Sequence, residues 1–155
     1  MRRKDKEIKD NRAIESIIKA ATVCRIGMSA HNLPYVVPVN FGYKDKRLYF
    51  HSAPEGRKID TIAQNNNVCF ELDIDCELVQ KSQDPCSWSM KYRSVIGFGK
   101  AFLVDDPEEK KTALDIIVEH YSGKPCQYAY PEDLINNMAI IKLEIDSMTG
   151  KRSGY

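Results

Sequence analysis

Hydrophobic positions change their period several times along the chain. Between residues 7 and 20, Ile8, Ile14, Ile17 and Ile18 fall on one stripe among charged neighbours, which predicts an amphipathic helix. TVCRIGMS (22–29), YVVPVNFGY (35–43) and RLYFHS (47–52) follow, short and rich in β-branched and aromatic residues. AHNLP and KDK separate them as turns, so this part of the chain predicts an antiparallel meander. A helical period then returns. Gly56 ends a turn, Ile59, Ile62 and Ala63 recur at helical spacing, and Asn65, Asn66 and Asn67 stop the run.

Residues 68–79 read as a strand, KSQDPCSWS as a loop rich in Ser, Asp and Pro, and residues 91–104 as a long strand containing Gly97 and Gly99. Glycine weakens a strand and marks a bend, a bulge or the close approach of another backbone, as a barrel corner requires. DDPEEKKTALDIIVEHYSG predicts a helix with Asp106 as cap, Pro107 at the first helical position, Glu108 and Glu109 in the first turn and Gly123 past the end. In residues 138–146, Ala139, Ile141, Leu143 and Ile145 alternate with Lys142, Glu144 and Asp146, and the polar tail SMTGKRSGY follows. Six or so strands with helices placed between and around them predict one mainly β domain over residues 1–155. An N-terminal helix (1–20) precedes a small closed or partly split antiparallel barrel with inserted helices (22–151), rather than a βαβ stack.

Composition narrows the partners. A hydrophobic fraction of 43% with 29% charged residues suits a soluble globular domain. The net charge of +1 offers no global attraction for nucleic acid or an anionic membrane, so an anion site has to be local and suits a small phosphate better than a polymer. No apolar run approaches the roughly 20 residues of a spanning helix, and MRRKDKEIKDNR lacks a signal peptide's apolar core, so a cytoplasmic protein is expected. Cys24, Cys69, Cys76, Cys86 and Cys126 form no CxxC pair and read as buried or half-buried thiols in a reducing compartment. His31, His51 and His120 fall at no metal-ligand spacing.

Arg57 and Lys58 are the anomaly. They occupy the first turn of their helix, where backbone amides are already positive, and each should cost about a few tenths of a kcal/mol unless an anion neutralises it. Helix N-termini bind phosphate through free amides, and arginine and lysine add charge-assisted hydrogen bonds. His51 and Ser52 end the preceding strand, so four side chains can converge on one phosphate. The alternative is that both cations point into solvent, with Glu55 offsetting part of their charge. Pro38 cannot donate to a ladder, which makes its strand an edge, a bulge, or a place where a planar ligand meets residues 37–40. TGKRS is not a P-loop, because Ile145 stands where that motif needs its first glycine.

Taken in order, VPVNFGY, LYFHSAPEGRKID, YRSVIGFGKAFLVDD and a terminal strand ending in TGK resemble the pyridoxamine 5'-phosphate oxidase-like split-barrel flavoproteins. Within them the chain is most similar to the branch that includes 5-nitroimidazole-resistance proteins. The resemblance runs over roughly residues 22–151, and HSAPEGRK is its most specific part. It implies a homodimer of six-stranded antiparallel split β-barrels, with one FMN in each of two clefts between subunits. By the same resemblance Ser52, Arg57 and Lys58 hold the FMN phosphate, Val37, Pro38, Val39 and Asn40 run beside the isoalloxazine ring, and His51 and Ala53 flank the ligand. Ser94 and Val95 occupy the place from which the partner subunit reaches the flavin, with Ser94 where the oxidase has glutamine. The oxidase's arginine-rich carboxy-terminal substrate motif is absent from MTGKRSGY. The resemblance therefore implies FMN binding more than vitamin B6 oxidation.

The expected function is an FMN-dependent oxidoreductase that reduces a small acceptor, nitro compounds included, with electrons from a reduced nicotinamide or a protein donor. Nucleic acid and membrane are not expected as partners. His51 is the candidate proton donor, since histidine exchanges protons near neutrality. Tyr92 and Trp88 read either as stacking surfaces or as plain core and interface residues. The alternatives are a flavin-binding or redox-sensing module without turnover, and a haem-binding relative with His31 or His120 as axial ligand. A half-built cleft on so small a barrel is also a physical reason for a symmetric partner.

Overall fold

The computed structural model describes residues 3–125 and 127–155, so the expectation for Cys126 lies outside the described residues. The elements run β1 (Glu7–Ile8), α1 (Asn11–Ala20), β2 (Cys24–Ala30), β3 (Leu33–Val39), β4 (Gly42–Lys44) and β5 (Arg47–Ser52). They continue with α2 (Arg57–Gln64), β6 (Asn67–Val79), β7 (Ser89–Val104), α3 (Pro107–Ser122), α4 (Glu132–Asn136) and β8 (Ala139–Ser153). The eight strands among the described residues join one antiparallel sheet in the order β3-β2-β6-β7-β8-β5-β4, with β1 paired to β8. The sheet is a split barrel: β3 and β4 are its two ends and do not pair with each other.

The expected meander is in fact two hairpins, β2–β3 and β4–β5, at opposite ends of that path. Asn40 and Phe41 interrupt the run 35–43. Phe41 is fully buried and its amide donates to Tyr121 Oη at 3.0 Å, so the chain leaves one hairpin there and starts the next. This division, with the short β1, raises the strand count from the expected six to eight. The N-terminal helix starts at Asn11 rather than Glu7, because Asp10 caps it by accepting from the Arg12 amide at 3.0 Å while Glu7 and Ile8 pair with Lys151 and Gly150. The supposed polar tail is mostly strand. β8 continues to Ser153 and pairs with β7 as far as Tyr92.

Two apolar clusters hold these elements. Inside the barrel, Ile26, Phe41, Leu48, Phe50, Phe70 and Leu72 are fully buried, and Ile14, Ile17 and Ile18 of α1 close one end. On the outside, Ile116 and Ile117 of α3 and Ile135 of α4 pack on Tyr49, Val104 and Ile140. α3 has the ends its sequence implied: Asp106 accepts from the Glu109 amide at 2.9 Å, and Gly123 takes the left-handed C-terminal position at φ 68°. The two strand glycines mark close approach. A Cβ at Gly97 would overlap the Phe70 ring, one at Gly99 would overlap the Glu144 carbonyl, and the β7–β8 register shifts between Phe98 and Gly99. Gly99→Ala is expected to destabilise the protein by roughly 2 kcal/mol or more, because backbone rather than a side-chain tip must move. A lowered urea midpoint at unchanged slope is the measurement.

Candidate functional site

The split is where the chain leaves backbone unpartnered. β3 pairs only with β2, and β4 pairs only with residues 47–49 of β5, so residues 50–52 have no neighbouring strand on that side. Pro38 thus lies in an edge strand, where its missing N–H costs no ladder bond.

α2 touches both walls of the opening. Its Arg57 guanidinium lies 4.4 Å from the centroid of the Tyr35 ring on β3, and Lys58 Nζ lies 5.9 Å from that of Phe50 on β5. Ile59 and Ile62 anchor the helix in the barrel core, and Asn65 Nδ2 donates to the Ser29 carbonyl of β2 at 2.8 Å.

The helix start carries two cations in its first turn that form no ion pair, with Asp60 as the one acid of that turn. No side chain caps α2, so its first amides remain free. The ion pairs among the described residues include neither Arg57 nor Lys58, and Glu55 forms none with them. Lys58 is half-buried, and that burial lowers its pKa below the usual lysine value. Gly56 holds φ at 117°, which favours glycine, and a Cβ there would meet nothing within 4 Å. Free amides, two unpaired cations and open space above them fit a phosphate monoester.

Strand alternation sorts the remaining expected residues. Ser52 is half-buried and shares the face of Phe50, where Lys58 lies. His51 is exposed and alternates with Tyr49, on the opposite face, so it does not join Ser52, Arg57 and Lys58 around one phosphate. Ala53 is exposed in the following turn. On β3 and just beyond it, Val37 packs against the barrel core, Val39 is buried, and Pro38 and Asn40 are exposed. Ser94 is half-buried on β7 between Asp73 and Lys151, while the Val95 side chain is fully buried in the barrel core. No hydrogen bond or ring contact among the described residues links either of them to α2. Tyr35 is a site residue whose one signal in the sequence is an aromatic three positions before the edge-strand proline.

The other chemistry-bearing side chains are mostly committed elsewhere. His120 Nε2 is 2.7 Å from the Ala21 carbonyl, and its ring packs on Phe41 and Tyr121 at 4.3 and 4.9 Å. His31 is exposed at φ 50° in the β2–β3 turn. No group of three potential metal ligands exists among the described residues. Trp88 Nε1 donates to Ser82 O within its own loop at 2.9 Å. Cys24 is buried, which pushes its thiol up to about 12, and Cys69 is half-buried and also raised. Cys76 and Cys86 are exposed, contrary to expectation, because the β6–β7 hairpin runs past the barrel core at that end. A cavity of about 680 Å³ opens among Glu15, Tyr43, Lys46, Glu119 and His120. Acids and bases there balance, and Tyr43 Oη donates to Glu15 at 3.2 Å, so it lacks the uncompensated charge seen at α2.

This fold is that of the split-barrel class, with a candidate anion site at the start of α2. The chain belongs to the pyridoxamine 5'-phosphate oxidase family, whose model matches residues 10–152. It is 42% identical to a solved structure of a proposed 5-nitroimidazole antibiotic resistance protein from Bacteroides thetaiotaomicron VPI-5482, with a TM-score of 0.82 over 94% of this chain and 86% of that one. The flavocytochrome Anf3 from Azotobacter vinelandii shares the fold at 20% identity, with a TM-score of 0.83 over 100% and 72% of the two chains. A FAD and haem binding protein from Mycobacterium smegmatis shares it at 15% identity, with a TM-score of 0.83 over 97% and 74%. Among curated proteins the chain has no match. No helix among the described residues is long and apolar enough to cross a membrane.

Lys58 gives the site a pH signature. Its folded pKa lies below the unfolded value, so its charge opposes folding at neutral pH, and that cost fades as pH rises through the unfolded lysine range. Ligand-free Lys58→Met is therefore expected to melt at the same or a higher temperature than the parent at pH 7. The difference should shrink near pH 10.5, the usual lysine value. Thermal melts at the two pH values check it.

Proposed function

We propose that the protein is an FMN-dependent oxidoreductase acting on small acceptors, nitro compounds among them, as a cytoplasmic homodimer with FMN in clefts between subunits. The observation that carries this reading is the uncapped start of α2, with Arg57 and Lys58 unpaired in the split. A phosphate monoester bears about two negative charges at neutral pH, which these two cations match. The free amides of α2 and the Ser52 hydroxyl complete its hydrogen bonding. The open edges of β3 and of residues 50–52 receive the flat ring system between them, with residues 37–40 beside it and His51 and Ala53 at its margin.

When bound, flavin supplies the redox chemistry, while the chain supplies position and electrostatics. Ser94 reaches the flavin from the second copy, and Val95, whose side chain is buried, holds the strand that presents it. The 42% identical relative favours nitro acceptors, and the electrons would come from a reduced nicotinamide or a protein donor.

The purified protein is expected to show the two-band absorption spectrum of oxidised flavin, and the double variant Arg57→Ala, Lys58→Ala to lose it. A colourless protein that refuses added FMN would refute the reading. Oxidation of the reduced flavin by a nitro acceptor separates an enzyme from a flavin carrier without turnover. His51 is the proposed proton donor, and His51→Ala is expected to slow turnover by roughly 100-fold. Unchanged turnover with each acceptor tried would remove it from the mechanism.

A further inference from the structure

Met90, Tyr92 and Ser94 alternate on one outward face of β7, and Leu78 of β6 lies directly opposite Met90. Leu78 and Met90 are 52% and 45% exposed, so this hairpin arm presents apolar surface that its own chain leaves uncovered. Lys151 of β8 stands opposite Ser94, half-buried, with Nζ 5.2 Å from the centroid of the Tyr92 ring.

Most charges around Lys151 are committed elsewhere; Glu7, its cross-strand partner on β1, forms no ion pair with it. Lys91 pairs with Glu77 at 3.7 Å, Arg93 pairs with Asp75 at 2.7 Å, and Lys6 donates to Ser153 at 2.8 Å. Asp73, across from Ser94, is held by Arg25 and accepts from Cys76. Arg152 is exposed and alternates onto the other face. Lys151 has no ion pair among the described residues. Its half-buried ammonium is held over the Tyr92 ring rather than paired with Glu7 beside it, which keeps its charge available to an incoming anion.

We propose that Leu78, Met90, Tyr92 and Lys151 form the acceptor-binding wall of the flavin cleft completed by a second copy. The wall selects flat aromatic acceptors that bear a carboxylate or nitro group. The proposal rests on the flavin reading above, which sets the neighbouring Ser94 against the flavin of the second copy. Leu78, Met90 and Tyr92 cover the acceptor ring, and Lys151 donates to its anionic oxygens.

The test uses oxidised, FMN-loaded protein without an electron donor, titrated with benzoate and with benzamide, two flat ligands of similar size and different charge. The flavin difference spectrum reports binding. Benzoate is expected to bind about tenfold more tightly, equivalent to ~1.4 kcal/mol. Lys151→Met should abolish that preference at unchanged flavin content, and Lys151→Arg should retain it. Equal affinities in the parent, or a preference surviving in Lys151→Met, would overturn the proposal. Loss of flavin from Lys151→Met and from Lys151→Arg would overturn it as well, by reassigning the position to the cofactor. Flavin stoichiometry of the parent separates the two levels. No flavin uptake refutes the underlying reading and the wall with it, whereas full uptake without a preference refutes the wall alone.

Discussion

A sheet that stops short of closure leaves strand edges with hydrogen-bonding groups and no neighbouring strand, and the placement of α2 follows from that constraint. The helix is too short to be stable alone, so its position comes from packing. Ile59 and Ile62 sink into the barrel core, and Asn65 fixes its far end to β2. Its start is therefore held in the split whether or not the charges there are satisfied. Apolar anchoring at one end lets the other keep an electrostatic arrangement that a free helix would relax by fraying.

The contrast with α3 shows that the charge pattern is particular to α2. Within one chain, α3 opens with a capping aspartate, a proline and two glutamates, while α2 opens with a glycine at φ 117°, an arginine and a lysine. Arg57 spreads over Tyr35 and Lys58 over Phe50, so both cations lie against aromatic faces rather than carboxylates. Lys151 repeats the arrangement over Tyr92. Aromatic support holds a cation in place without cancelling its charge, which keeps it available to an anion.

The parts of this structure legible in the sequence are those governed by neighbours along the chain. The caps of α3, the glycines of β7 and the reversed charge of α2 each follow from a few adjacent residues. Strand order does not, because it depends on partners such as Phe41 and Tyr121, 80 positions apart. The end of β8 is not legible in the sequence because Ser147, Thr149, Lys151 and Ser153 make its outer face polar and glycine interrupts its inner face at Gly150. At the site, the identity of the cations was legible and their lack of acid partners was not. The direction of His51 depends on strand phase, which the short run RLYFHS leaves open until Tyr49 is seen packing under α3.

The place of β8 in the sheet also bears on how the protein is made. This strand lies between β7 and β5 and pairs with β1 as well, yet it emerges from the ribosome after every strand it joins. Until residues 139–153 are available, the β4–β5 hairpin has no place in the sheet, and the β7 edge that receives β8 stays bare. The α1–β2 connection waits in the same way for His120 and Tyr121, 99 residues downstream. The nascent chain therefore passes through a stage of separate hairpins with sticky edges, the kind of species that chaperones hold. A premature stop within the last strand would leave an unassembled barrel rather than a slightly shorter one.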